Sequence, residues 1–193
     1  MGSNRMRNAN DSRKRHGDRR FCRIVAAAAL TLLVYNCAWA GAGGDTLHMG
    51  RVLRVVDGDT FIMFFEGRRE SVRLIGIDAP ESEDNAKVRR QARKESSSVR
   101  DIVELGRESK RFLQKVLRRA SRVHLEFDLN PRDQYGRLLC YVYLKDGRMV
   151  NEVLVRSGYA WASSYPPNVK HQRRLQRAQR EAEATGAGHW RSK

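Results

Sequence analysis

Three short stretches of this chain gather acids, glycines and arginines more densely than ordinary turns require: Val56-Asp57-Gly58-Asp59-Thr60, Arg73 to Glu81 (RLIGIDAPE), and Asp133-Gln134-Tyr135-Gly136-Arg137. Hydrolysis of a phosphodiester needs a hard cation to polarise the phosphate, an oriented water, and cationic donors for the charge that builds on the oxygens. Asp59 and Asp78 close neighbouring predicted strands, so two carboxylates can converge on one Ca²⁺ whose shell backbone carbonyls and waters complete. Glu81, just past Pro80, is placed to hold and deprotonate a water, and the forks of Arg73 and Arg137 match phosphate oxygens. The five His are scattered and no His/Cys spacing suits zinc. Taken singly, each stretch has a plainer explanation: Asp-Gly is a hairpin turn, Arg73 a surface cation, Glu81 a helix cap, and Tyr135 or Tyr165 a packing aromatic. Their joint appearance is what turn chemistry leaves unexplained.

The elements that must carry these residues follow from hydrophobic period. Met49 to Asp78 is rich in Val, Ile and Phe and is broken by Asp57-Gly58-Asp59 and Glu66-Gly67-Arg68, which predicts three consecutive strands. Leu105, Phe112, Leu113, Val116 and Leu117 recur at helical spacing and predict an amphipathic helix over at least 104–119. The stretch from Glu83 to Arg100 has few large apolar residues and a Ser96-Ser97-Ser98 interruption, and its conformation is left open between loop and loose helix. Alternation returns at 123–128 and again from Arg137 to Leu144. Helices are expected near Val150–Ser157 and over Asn168–Glu183, with Pro166-Pro167-Asn168 as the start signal. Three strands, a helix, two strands and terminal helices predict an α+β fold: a five-stranded barrel of OB type with helices packed at one end and a C-terminal helix.

Charge and cysteines set the context. The chain has 193 residues and a net charge of +16. Eight Arg or Lys and two Asp in residues 1–23 carry +6 of that, so residues 41–193 keep +10 and favour anionic partners, nucleic acid or an acidic membrane. Residues 24–40 are uncharged and apolar and end in Ala38-Trp39-Ala40, the small-x-small pattern of a cleavage site. This predicts an export signal over 1–40, a flexible joint at 41–48, and a domain over 49–190. The alternative to cleavage is an uncleaved anchor, and the destination is periplasmic or extracellular. Cys22 and Cys37 fall in the signal, which leaves Cys140 without a disulfide partner and expected to be a buried, inert thiol.

Through VDGDT at 56, RLIGIDAPE at 73 and DQYGR at 133, in that order, the chain resembles the staphylococcal nuclease family; LEFD at 125, GRMVNEVLVRSGYA at 147 and the PPN at 166 extend the likeness over residues 49–190. The resemblance implies an OB barrel and Ca²⁺-dependent cleavage of DNA and RNA to 3′-phosphates. It implies Asp59 and Asp78 as calcium carboxylates, Glu81 as the water-orienting glutamate, Arg73 and Arg137 as phosphate-binding arginines, and Tyr135 and Tyr165 as substrate-pocket tyrosines. Ala79 stands where the founding member has a threonine whose backbone carbonyl binds calcium, and an alanine carbonyl can serve as well. The stretch after Glu81 is longer and more basic than in the founding member, so no binding residue is assigned to it. Weak sequence preference, single-stranded or frayed substrate, and a monomer without obligate partner are expected. The competing expectation is a catalytically silent OB module that binds nucleic acid.

Overall fold

Period-two alternation builds the first hairpins. In the computed structural model, which describes residues 47–192, β1 (His48–Asp57) buries Val52 and Val55, β2 (Thr60–Phe65) buries Phe61, Met63 and Phe65, and β3 (Arg68–Leu74) buries Val72 and Leu74. The β2–β3 hairpin closes on Glu66 and Gly67, both at positive φ, which matches the right-handed twist of the strands. A two-residue strand, β4 (Ile77–Asp78), follows. Helix α1 (Ala86–Glu95) and helix α2 (Val99–Val116) then lead to β5 (Arg122–Arg132) and β6 (Leu138–Tyr143). Helix α3 (Val150–Arg156), a short β7 (Trp161–Ala162), helix α4 (Gln172–Thr185) and a 3₁₀ turn over Gly188–Ser192 complete the described residues.

The five long strands close into a barrel in the order β1-β2-β3-β6-β5. All pairs are antiparallel except β3 with β6, where Val72 faces Leu138 and Leu74 faces Cys140 in parallel register. That pairing needs a crossover, and α1, α2 and β5 supply it. β4 and β7 form a separate two-stranded sheet. The expected α+β OB barrel with a C-terminal helix is therefore the observed fold.

The open stretch after Glu81 is helical. Asn85 caps α1 by accepting from the Lys87 and Val88 amides, and Ser98 caps α2 by accepting from Arg100. α1 buries only Val88 and Ala92, against Ile102 and Val103 of α2, in a small cluster apart from the main core. α2 thus starts five residues before the periodic window that predicted it. α4 starts at Gln172, four residues after the expected Asn168, because Pro166-Pro167-Asn168 forms a turn held elsewhere; its N-cap, His171, makes no side-chain cap bond. β5 runs on to Arg132 past a register break after Phe127. Cys140 is fully buried, and burial pushes its thiol well above the usual range, as expected of an inert core residue. No helix among the described residues is long and apolar enough to cross a membrane. The proposed export signal lies outside them.

Candidate active site

The turn chemistry of β1–β2 and β3–β4 brings the acids together. Gly58 lets the β1–β2 turn press on its surroundings: a Cβ there would lie 2.7 Å from that of Ala79 and 2.8 Å from that of Ser109. Gly76, at φ 76°, turns the chain from β3 into β4, so that Arg73 and Asp78 face each other. The buried Asn151 of α3 holds this turn, donating to the Ile75 carbonyl at 2.8 Å and accepting from the Val142 amide at 3.0 Å.

Asp59 is almost completely buried. Its carboxylate accepts from the Ala79 amide at 3.1 Å and the Thr60 hydroxyl at 2.9 Å, and contacts the Arg73 guanidinium. Burial raises its pKa, against the pull of Arg73. The same guanidinium donates to Asp78 at 2.7 Å. Burial works against the charge on Arg73, but the two carboxylates outweigh it and hold its pKa above the ordinary value.

Glu81 takes hydrogen bonds from Lys87 Nζ at 2.8 Å and Asn85 Nδ2 at 3.1 Å, and the Lys87 ammonium is also 3.5 Å from Asp78. Burial disfavours the Glu81 charge, yet Lys87, Asn85 and a hydrogen bond with Asp57 bring its pKa below the usual value. Asp57 goes the other way. Burial, with Asp59 and Glu81 nearby, pushes it up to about 6, although the Gly58 amide (2.8 Å) and the Ser82 amide (3.1 Å) donate to it. Of the Asp57–Glu81 pair, Asp57 is the one that keeps a proton longer.

On the facing wall, Asp133 accepts from the Arg137 Nε at 2.6 Å and from the Tyr135 and Arg137 amides at 2.9 Å, which fixes both the turn and the guanidinium. Arg137 lies 5.6 Å from the Tyr135 ring centroid. The third wall is the loop of Tyr165, Pro166, Pro167 and Asn168. Asn168 donates to the Asn130 carbonyl at 2.9 Å and accepts from its amide at 2.8 Å, pinning that loop to β5.

These walls enclose a cleft of about 570 Å³. Six of the eight residues singled out in the sequence line it: Arg73, Asp78, Glu81, Tyr135, Arg137 and Tyr165. Tyr135 is 75% exposed and Tyr165 is 49% exposed, so neither ring is a core residue. Asp59 and Ala79 do not line the cleft; they sit behind it, and the observed contact of Ala79 is its amide on Asp59. Sequence reasoning missed Asp57, Asn85 and Lys87. The first lies within VDGDT, two residues before an assigned acid. The others belong to the stretch whose conformation hydrophobic period left open.

Among the described residues no three His, Cys, Asp or Glu side chains gather as a ready ligand shell. The donor chemistry nevertheless suits a hard cation. Asp59 and Asp78 offer oxygens only, a carbonyl and waters can fill the remainder, and both carboxylates already attract positive charge, from Arg73 and Lys87.

A closed five-stranded barrel thus carries Asp78, Glu81, Arg73 and Arg137 on one cleft. The family model of staphylococcal nuclease homologues matches residues 71–192. The chain is 40% identical to the thermonuclease of Staphylococcus intermedius over 72% of its own length and 74% of that protein's, and 36% identical to the thermonuclease of Staphylococcus hyicus over 78% and 80%. It is 35% identical to the endonuclease YncB of Bacillus subtilis over 71% of its length and 59% of that protein's. The chain belongs to the staphylococcal nuclease homologue family.

Proposed function

We propose that this protein is a calcium-dependent nuclease that hydrolyses phosphodiester bonds of DNA and RNA with little sequence preference and leaves 3′-phosphates. The observation that carries this is the convergence of Glu81, Asp78, Arg73 and Arg137 on one cleft. The names of its relatives, thermonucleases and an endonuclease, support the activity. Asp59, Asp78 and the Ala79 carbonyl are the candidate holders of the ion. When bound, calcium supplies positive charge that polarises the phosphate and acidifies a nearby water.

The chain's own groups do the rest. Glu81, kept ionised at neutral pH, accepts the proton of the attacking water. The water oxygen bonds to phosphorus as the bond to the 5′ oxygen breaks, and that oxygen takes a proton from solvent and leaves as a hydroxyl. Arg73 and Arg137 donate to the phosphate oxygens as negative charge builds; Asp133 holds Arg137 in place beforehand. Tyr135 and Tyr165 flank the nucleotide with exposed rings. Contacts to phosphate and ring faces carry little base information, which keeps sequence preference weak, and single-stranded or frayed substrate suits an OB groove. The basic N-terminal run and the apolar residues 24–40 support export to the periplasm or medium, which the N-terminal mass of protein recovered there will test.

The deciding experiment is cleavage of single-stranded DNA by the purified protein, with calcium or chelator, beside Glu81→Gln. Calcium-dependent cleavage that falls by a factor of about 100 or more in Glu81→Gln is the expected result. Binding without cleavage under every metal tried would instead make the protein a silent OB module that holds nucleic acid.

A further inference from the structure

We propose that His189 is a positioning residue for the acids of the cleft: through the Ser109 hydroxyl it fixes the face of α2 on which the Asp57–Asp59 turn and the Glu81 backbone rest, and it gives up that hold when its ring gains a proton. The inference takes the role of those acids from the nuclease reading; the positioning stands on contacts that need neither metal nor substrate. Gly106 and Ser109 are three residues apart in α2 and share a face. A Cβ on Gly106 would meet the Glu81 carbonyl oxygen at 2.1 Å, and one on Gly58 would meet the Ser109 Cβ at 2.8 Å. This face therefore touches both segments that carry Asp57, Asp59 and Glu81. Ser109 is fully buried, yet its hydroxyl bonds to neither of them. It donates to the Tyr159 carbonyl at 2.7 Å and lies 2.9 Å from Nε2 of His189.

A hydroxyl has one proton to give. With that proton on Tyr159, the Ser109 oxygen can only accept from the ring, so Nε2 carries the hydrogen and Nδ1 keeps a bare lone pair. Nδ1 is buried and has no hydrogen-bond partner. The side chain, 4% exposed, is walled by Tyr159, edge-on with centroids 5.2 Å apart, and by Trp161 at 6.1 Å, while Tyr159 stacks on Phe112 of α2 at 4.4 Å. The 3₁₀ turn that presents the ring has no slack. The His189 amide donates to the Gly158 carbonyl at 3.0 Å, a Cβ on Gly158 would lie 2.0 Å from the Ala187 carbonyl oxygen, and one on Gly188 would lie 2.5 Å from that of Ser157.

A proton on Nδ1 would put a charge into this enclosure. The charged group facing it is Glu108 of α2, 44% exposed, with its carboxylate 3.6 Å away; the titratable group facing it from the segment between α3 and β7 is Tyr159. Burial opposes the charged ring more than Glu108 favours it, so the ring is held below its usual value of 6.5. A ring that protonates less readily in place than when released holds fully above that value and loses its hold as the pH falls through its lowered one. Acid thus loosens the backing of the cleft's acids from a point outside the cleft.

The test is amide hydrogen exchange of the metal-free protein, read by NMR as protection factors, for wild type, His189→Gln and His189→Leu at about pH 7.5 and about pH 5. The reporters are the Ala79 and Ser82 amides, which donate to Asp59 and Asp57, with β2 and β3 amides as the reference. Glutamine keeps a side-chain N–H for Ser109 but cannot be protonated; leucine keeps an apolar filling and loses both properties. At neutral pH, His189→Leu is expected to lower protection at Ala79 and Ser82 about fivefold and His189→Gln less than about twofold, with β2 and β3 within about twofold throughout. In acid the wild type falls to the level of His189→Leu while His189→Gln keeps its advantage; Asp57 titrates in all three proteins and drops out of the comparison. Glu108→Gln, which removes the carboxylate that favours the charged ring, moves the wild-type loss to lower pH. The imidazole nitrogen spectrum of the wild type, which needs no variant to fold, should show Nε2–H and a bare Nδ1 at neutral pH. Equal protection at Ala79 and Ser82 in all three proteins, a loss spread evenly over the barrel, wild type and His189→Gln falling together in acid, or the Nδ1–H tautomer overturns the proposal. Exchange needs no cleavage, which keeps the two readings apart: the expected exchange in a protein that never cuts DNA sinks the nuclease alone, while calcium-dependent cleavage with unshifted exchange sinks the positioning alone.

Discussion

Asp57→Asn is expected to stabilise the metal-free protein at neutral pH, although it removes a charge from the site. Burial and its acidic neighbours raise the Asp57 carboxyl from 3.8 to about 6. A folded pKa above the unfolded one means that this group contributes stability below about pH 4 and loses it as the pH rises through about 6. About two pKa units correspond to a ceiling of roughly 3 kcal/mol, and partial exposure of the side chain brings the expectation to about 1–2 kcal/mol. Asparagine keeps the Oδ1 that accepts from Gly58 and Ser82, and its amide donates toward Glu81 as the protonated acid does. The variant should therefore melt about 2–8 °C higher than wild type near pH 7.5, and within about 1 °C of it near pH 4. Thermal melts followed by circular dichroism in chelator measure both. A variant that is less stable at neutral pH, or shifted equally at the two values, would show that its surroundings do not disfavour the Asp57 charge.

Removing Arg73 should destabilise more than most surface changes: Arg73→Met leaves the buried Asp59 carboxylate without its cation, at about 3–5 kcal/mol in urea melts, and adding Asp59→Asn should recover much of the loss. Asn151→Ala orphans the Val142 amide and the Ile75 carbonyl, for about 2–5 kcal/mol, and should raise amide exchange at the Ile75–Gly76 turn; unchanged exchange would refute its holding role. Gly106→Ala, which on helix propensity alone would stabilise α2 by up to about 1 kcal/mol, should instead destabilise and depress cleavage. The added Cβ would sit 2.1 Å from the Glu81 carbonyl oxygen, and a gain in melting temperature with full activity would contradict that contact.

Much of the barrel was legible because β1, β2, β3 and β6 are short alternating runs separated by Asp-Gly, Glu-Gly and Tyr-Gly turns, whose local chemistry resembles what the fold uses. Six of the site residues were legible for a related reason: they cluster at strand ends, where side chains leave the core. α1 was not legible, since it buries just Val88 and Ala92 and so has almost no apolar stripe. The start of α4 was misplaced because the prolines before it do not begin the helix. Asn168 bonds across to Asn130, a partner 38 residues away that no local pattern reveals.

The sequence by itself determined that strands, turns and acids of these kinds would occur, in an order that fits an OB barrel, because those features depend on residues within a few positions of one another. Only the tertiary structure decided which charges meet. It set the depth of Asp59 behind Arg73, the opposite pKa shifts of Asp57 and Glu81, and the reach of Lys87 from α1 onto two acids. It also placed Arg122 against Arg51, residues 71 positions apart in sequence. Burial and Coulomb forces act through space at a few ångströms, and the distances that govern them are fixed by barrel closure and strand register rather than by neighbours along the chain.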